Sequence, residues 1–185
     1  MTAARPLRIE TPRLVLYPLA REHETGFHAI NTDPAVRRFL FDGNSVSAAD
    51  SAEMLSRSLA LLDREGHGLF GVSLRGDDAL AGWAGYLHSH HPPVLEVAYA
   101  LLPRYWGRGF AVEAMRGVMT WGVRCLGLKA LRASTDAPNT ASIRVLEKLG
   151  FVESKRTGCS GAELIHFVID AAKVDQSDVV CVRAA

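Results

Sequence analysis

Apolar residues recur along this chain at two spacings, one typical of strands and the other typical of amphipathic helices. An almost continuous apolar run over residues 94–102 stops at Pro103 and predicts a buried strand. After two glycines, apolar positions recur every three or four residues from Ala111 to Cys125. The opposite face of this helix is predicted to carry four polar residues, Glu113, Arg116, Thr120 and Arg124. The pattern therefore predicts a strand, a glycine-containing loop and a helix, in that order.

The rest of the chain shows the same alternation. A helix is predicted to start at the N-cap Asn139 and to end before Gly150, and a capping box at Ser47 predicts another. A strand that follows a helix, at 128–135, is predicted to run parallel to the strand at 94–102. Helices alternating with strands predict an α/β fold, with helices on both faces of a sheet. Further strands are predicted at 14–17, 69–75, 80–87, 151–156 and 163–170, and further helices at 21–31 and from 33.

Length and composition are those of one globular domain. The 185 residues fit a single domain over residues 1–170, with a flexible lead-in at 1–10 and a tail of unknown role at 171–185. A net charge of +1 argues against a nucleic-acid partner bound by bulk electrostatics. Three widely spaced cysteines form neither a disulfide framework nor a zinc pattern. Without a signal-peptide pattern or a membrane-length apolar run, the chain is predicted to be cytoplasmic, with no membrane partner.

The loop between the predicted strand and helix has the composition of an anion site. Gly107 and Gly109 lack a Cβ, so an anion can approach the main chain closely. The first turn of the following helix offers N–H groups without intrahelical partners, and its dipole favours negative charge. Arg104 and Arg108 add positive charge. The loop therefore predicts a phosphate cradle, and the alternative is a plain strand–helix turn whose glycines serve only its geometry.

Three longer segments carry a resemblance to a known family. Residues 103–114 (PRYWGRGFAVEA) and 139–151 (NTASIRVLEKLGF) resemble the GNAT superfamily of acyl-CoA-dependent N-acetyltransferases. Residues 10–19 (ETPRLVLYPL) are similar to its branch of ribosomal-protein N-terminal acetyltransferase-like enzymes. The resemblance implies a GNAT fold with a mixed sheet of about seven strands, whose splayed central parallel strands admit acetyl-pantetheine. It also implies that acetyl-CoA is the co-substrate and that the acceptor is a primary amine of a protein N-terminus or of a small molecule.

The same resemblance implies which residues hold the co-substrate. Asn139 is expected beside the pantetheine arm, a role that is compatible with its N-cap function. The resemblance also implies that the main chain of the predicted central strand contacts the arm at Tyr99, Ala100 and Leu101. The pyrophosphate is implied to bind main-chain N–H groups of the glycine loop and the helix start, at Gly107, Arg108, Gly109, Phe110, Ala111 and Val112.

Two residues are candidates for catalysis. Glu96 is an acidic residue within an apolar strand, and members of the family often carry a glutamate there, so it is the predicted base for the attacking amine. The alternative is a solvated glutamate at the strand end, and a β-bulge could change its face. Ser142 is implied to assist the departing thiolate, since Leu146 occupies the position where many members have tyrosine. The alternative for Ser142 is hydrogen bonding within the first helical turn. Another family base position holds Ser134, which cannot act as a base.

The remaining sequence features give weaker indications of function. His88, His90 and His91 lie in one loop without the spacing of a metal site, so no metal is predicted. The three tryptophans, Trp83, Trp106 and Trp121, are predicted to lie in the core. The second functional hypothesis is an acyl-CoA-binding module without catalysis, acting as a sensor or scaffold. The sequence leaves a homodimer open.

Overall fold

The computed structural model describes residues 6–89, 93–159 and 162–183. Within these ranges, no helix is both long and apolar enough to cross a membrane. The helices are α1 (Glu24–Thr32), α2 (Pro34–Arg37), α3 (Ala48–Glu65), α4 (Phe110–Cys125) and α5 (Thr140–Lys148). The strands are β1 (Pro6–Glu10), β2 (Leu14–Pro18), β3 (Leu69–Leu74), β4 (Gly82–Ser89), β5 (Val94–Leu101), β6 (Ala130–Asp136), β7 (Val152–Cys159), β8 (Ala162–Asp170) and β9 (Val180–Arg183).

The strands form two sheets that meet at β5 and β6. The six-stranded sheet has the order β5-β4-β3-β2-β1-β9, and the three-stranded sheet has the order β6-β8-β7. β5 and β6 are edge strands of their own sheets and pack against each other. Because β5 pairs only with β4 among the described strands, its other edge faces a gap. The C-terminal end of β5 also lines the cavity that is described below as the candidate site.

Helices cover both faces of the larger sheet, as the sequence predicts. α4 packs on β1, β2, β4 and β5, and it carries the larger apolar core. A second apolar cluster on the other face involves α1, α3 and Trp83. Thr120 was predicted to lie on the polar face of α4, but it is fully buried. The prediction was wrong because the sheet and α5 enclose α4. These elements bury more of the helix surface than its apolar stripe alone.

The number of strands exceeds the expected seven because both ends of the chain join the larger sheet. β1 pairs with β2 and with β9, all antiparallel. The expected flexible lead-in is therefore wrong for residues 6–10, while residues 1–5 lie outside the described part of the chain. The tail, which had no predicted structure, contains β9 and a short 3-10 turn at Ala171–Lys173. β1 and β9 each form a strand because they pair with the opposite end of the chain. Pairing between such distant segments leaves no local strand signal in either sequence.

Candidate active site

The glycine loop has the backbone shape that an exposed helix N-terminus requires. Gly107 and Gly109 have φ values of +71° and +79°, in the left-handed region that favours glycine. Gly109 is the N-cap of α4 and has no side chain with which to cap it. The N–H groups of the first helical turn therefore point to the loop without an intrahelical acceptor. The local geometry agrees with the predicted phosphate cradle.

A cavity of about 380 Å³ opens in front of this helix end. Such a volume is within the range of small-molecule sites. Its walls come from α2 and the segment after it, the C-terminal end of β5, the glycine loop, the start of α4, and α5. The described residues that line it are Ala35, Val36, Phe39, Leu40, Tyr99, Ala100, Leu101, Tyr105, Trp106, Gly107, Gly109, Phe110, Ala111, Val112, Asn139, Ala141, Ser142, Arg144, Val145 and Lys148.

The cavity brings together nearly all of the residues implied to hold the co-substrate. The exception is Arg108, whose exposed guanidinium lies 4.7 Å from the centroid of the Phe110 ring. Trp106 was predicted to be in the core, but 49% of it is exposed and it forms part of the cavity wall. Its indole N–H donates a hydrogen bond of 2.6 Å to the carbonyl of Leu101. One acceptor expected to serve pantetheine therefore already has a protein partner.

A hydrogen-bonded set of side chains lies where β5 faces the start of α5. The Asn139 side chain accepts a hydrogen bond of 3.1 Å from the N–H of Ser142, as predicted for an N-cap. The Ser142 hydroxyl is hydrogen-bonded to the phenol of Tyr99. Burial raises the pKa of Tyr99 and the bond to Ser142 opposes this change, so the phenol keeps its proton at neutral pH. Sequence reasoning used only the main chain of Tyr99 and missed its hydroxyl.

Glu96, the predicted base, is buried between the two sheets. Only 5% of its surface is exposed, so the alternative of a solvated strand-end glutamate is wrong. The hydroxyl of Ser134 in β6 donates a hydrogen bond of 2.7 Å to Glu96 Oε2, which links β6 to β5. β4 and β5 pair in one unbroken register, so no bulge changes the face of Glu96. Glu96 and Tyr99 therefore lie on opposite faces of β5, and Glu96 is outside the cavity lining.

A partly buried carboxylate, that of Glu113, holds the glycine loop in place through hydrogen bonds. Glu113 in α4 accepts hydrogen bonds of 2.7 Å from the Thr11 hydroxyl and from the main-chain N–H of Arg13. The Arg13 guanidinium bonds the other carboxylate oxygen at 2.6 Å and also donates to the carbonyl of Arg108 at 3.0 Å. These hydrogen bonds form a brace that fixes the loop to the start of β2. Its partners lie about a hundred residues apart, and no sequence signal pairs them.

These contacts set the charge state of Glu113. Burial alone would raise its pKa, but hydrogen bonds from Thr11 and Arg13 outweigh burial and hold the pKa of Glu113 below 4.5, its ordinary value. Because the folded pKa is lowered, the carboxylate stabilises the fold fully above the ordinary value. That contribution is lost as the pH falls below it, toward the lowered pKa.

We expect Glu113→Gln to loosen the loop and to remove part of the acid sensitivity. Loss of the charge-assisted bonds should lower the free energy of unfolding by about 1–2 kcal/mol at pH 7, since Arg13 is half exposed. Denaturant unfolding from about pH 6 down to pH 3 should show this difference shrinking below about pH 4.5. Glu147→Gln, on the exposed face of α5, is the control and should match the parent protein. A difference in the free energy of unfolding that does not change with pH would contradict the proposed role of the Glu113 carboxylate.

Comparison with known proteins agrees with this fold. A family model described as the acetyltransferase (GNAT) domain matches residues 13–152. The uncharacterized N-acetyltransferase YoaA of Bacillus subtilis (strain 168) is 30% identical over 146 residues, which cover 77% of this chain and 81% of that protein. The spermidine N(1)-acetyltransferase of Escherichia coli (strain K12) is 25% identical over 137 residues, covering 74% and 71%.

A solved structure extends the likeness to three dimensions. RimL, the ribosomal L7/L12 alpha-N-protein acetyltransferase, in complex with coenzyme A, superposes with a TM-score of 0.74 at 14% identity. The match covers 90% of this chain and 97% of that chain, and at this identity it shows the fold alone. With an α/β fold split at two edge strands and a glycine-lined helix end facing the split, the molecule has the architecture of an acetyl-CoA-dependent acyltransferase. The chain belongs to the GNAT acetyltransferase family.

Proposed function

We propose that this enzyme transfers the acetyl group of acetyl-CoA to a primary amine by direct attack of the amine on the thioester. The observation that carries the proposal is the single cavity that joins the glycine loop to the Tyr99–Ser142 pair. The N–H groups of residues 107–112 would bind the diphosphate, and the free edge of β5 together with Asn139 would hold the pantetheine arm. Bound in this way, the thioester would lie near the hydroxyl pair.

Glu96 is the proposed base. An ammonium has no lone pair, so the amine must lose a proton before its nitrogen can bond to the acetyl carbon. Glu96 lies in the gap between β5 and β6, about 10 Å along the strand from Tyr99 at about 3.3 Å per residue. A proton would therefore reach the carboxylate through water. Ser134 supports this role because its hydrogen bond fixes the orientation of the carboxylate.

Tyr99 and Ser142 are proposed to act together on the leaving group. When the carbon–sulfur bond breaks, the sulfur carries negative charge, and a hydroxyl aimed at it stabilises that charge. Tyr99 lines the cavity and holds its proton because burial raises its pKa. Ser142 orients the phenol. The serine that the family resemblance implies is thus one half of a pair, and the tyrosine comes from β5 instead of α5.

We expect Tyr99→Phe to lower kcat about 10- to 100-fold while acetyl-CoA affinity changes by less than about twofold. Ser142→Ala should have a similar effect, and the double variant should be little worse than either single variant, because the two hydroxyls act as one unit. Tyr105→Phe is the matched control, since Tyr105 also lines the cavity but is outside the pair. Fully additive losses in steady-state kinetics would contradict a joint role.

The wall of the cavity near α2 bears on the acceptor. Val36, Phe39 and Leu40 are apolar, and no carboxylate occurs among the described residues that line the cavity. The charged residues in the lining are Arg144 and Lys148, both cationic. Such a lining supports an acceptor with one amine beside an apolar group, such as a protein N-terminus, over a polycation. This preference favours a protein N-terminus, the acceptor implied by the resemblance of residues 10–19, over spermidine, the substrate in the name of the Escherichia coli relative.

A thiol-release assay with a panel of amines tests the proposal. We expect acetyl-CoA turnover with peptides that begin with a small apolar residue and weak turnover with spermidine. Preferred turnover of spermidine would overturn the proposed acceptor but would still support acetyl transfer from acetyl-CoA to an amine. Saturable binding of acetyl-CoA with no turnover on any amine would instead favour the module without catalysis.

A further inference from the structure

A cluster of two histidines and one glutamate lies away from the acetyl-CoA cavity. Glu65 is the last residue of α3, His67 follows the left-handed Gly66 that ends the helix, and His88 is near the end of β4. One potential ligand atom from each of the three side chains lies within 4.8 Å of the other two. The sequence placed His88 with His90 and His91, which lie outside the described residues, and gave no reason to join it to His67.

The buried imidazole at the centre of the cluster is incompletely satisfied. Only 7% of the His67 side chain is exposed, and its Nε2 lies 2.9 Å from Glu65 Oε2. An ionised carboxylate only accepts hydrogen bonds, so Nε2 carries the hydrogen in the neutral ring, and a metal ion shared with Glu65 would replace that hydrogen on Nε2. His67 Nδ1 is buried without a hydrogen-bond partner in the described structure, an arrangement that costs free energy.

We propose that Glu65, His67 and His88 form a zinc site that fastens the end of α3 to the end of β4. Two imidazoles and one carboxylate are a ligand set that Zn²⁺ uses with water in the fourth position. Zinc–ligand bonds of about 2.0–2.2 Å at tetrahedral angles place neighbouring ligand atoms about 3.3 Å apart. Glu65 and His88 are exposed side chains and can move the short distance required, while the buried His67 stays fixed.

The location would let the ion link two elements of the fold. Gly66, with φ of +75°, reverses the chain between α3 and β3. The rings of His67 and His88 already meet edge to face, with centroids 5.3 Å apart. An ion shared by these rings and Glu65 would hold this connection to β4. None of the three residues belongs to the cavity lining, so zinc binding and acetyl transfer can be measured separately.

Isothermal titration of the full, untagged chain with Zn²⁺ tests the site. We expect one high-affinity Zn²⁺ per chain, a higher melting temperature with zinc, and no such effect with Mg²⁺, which prefers oxygen ligands. The double variant Glu65→Gln/His88→Gln should bind zinc at least about tenfold more weakly. Both residues are exposed, so this variant should fold.

The control is Glu53→Gln/His28→Gln, which removes the same residue types from the same helix and from α1. It should retain the zinc affinity of the parent protein. The cysteines remain in every variant, so zinc bound by thiolates would survive in the Glu65/His88 variant. An unchanged affinity in that variant, or no saturable binding by the parent protein, would overturn the proposal.

Discussion

Gly109→Val should weaken acetyl-CoA binding at least about 100-fold, equivalent to about 2.7 kcal/mol. Gly109 has a φ of +79°, and a β-branched residue there is strained by about 1–3 kcal/mol. A Cβ at this position would also lie 3.4 Å from Arg13 Nη2, against the brace that holds the loop. The added side chain would cover the first-turn N–H groups that are proposed to bind the diphosphate. Isothermal titration with acetyl-CoA measures the effect.

The matched control is Gly76→Val in the turn between β3 and β4. Gly76 has nearly the same backbone conformation, with φ of +80°, and a Cβ there meets nothing within 4 Å. This variant should lose comparable stability and keep its acetyl-CoA affinity. Equal losses of affinity in the two variants would attribute the effect to strain, and an unchanged affinity in Gly109→Val would refute the phosphate cradle.

Glu96→Gln should lower kcat by about 100- to 10,000-fold, the range for loss of a general base. The glutamine is nearly isosteric, and its carbonyl oxygen can still accept the hydrogen bond from Ser134. Acetyl-CoA affinity should change by less than about twofold, because Glu96 is outside the cavity that would hold the cofactor. Steady-state kinetics together with a binding titration separate the two quantities.

Ser134→Ala is the control for disturbing the junction of the two sheets. It removes one hydrogen bond between β5 and β6 and should cost about 1 kcal/mol of stability. Its kcat should fall far less than that of Glu96→Gln, since the carboxylate remains. Equal losses of kcat in the two variants, or equal losses of kcat and affinity in Glu96→Gln, would remove Glu96 as the base.

The features that sequence predicts correctly are those with local causes. The Ser47 capping box and the Asn139 N-cap each depend on residues within one helical turn, and the structure confirms both. The left-handed glycines before α4 depend on the absence of a Cβ. The strand–loop–helix order at the cavity follows from the apolar pattern on either side of these glycines, and the family resemblance adds the expected co-substrate. All of these signals are contained in short segments.

The features that sequence misses depend on contacts between distant segments. β1 and β9 pair across almost the full length of the chain. The hydrogen bond between Arg13 and Glu113 and the ring contact between His67 and His88 also join separate elements. Thr120 is buried by the elements around α4, which its own helical pattern does not reveal. The domain boundary at residue 170, the cytoplasmic location and the homodimer remain sequence-based expectations.

The most direct test is a crystal structure of the protein with acetyl-CoA. We expect the diphosphate within hydrogen-bonding distance of main-chain N–H groups of residues 107–112. The thioester should lie in the cavity beside the Tyr99 and Ser142 hydroxyls. A diphosphate bound elsewhere, with the N-terminal turn of α4 contacting only solvent or protein, would contradict the account.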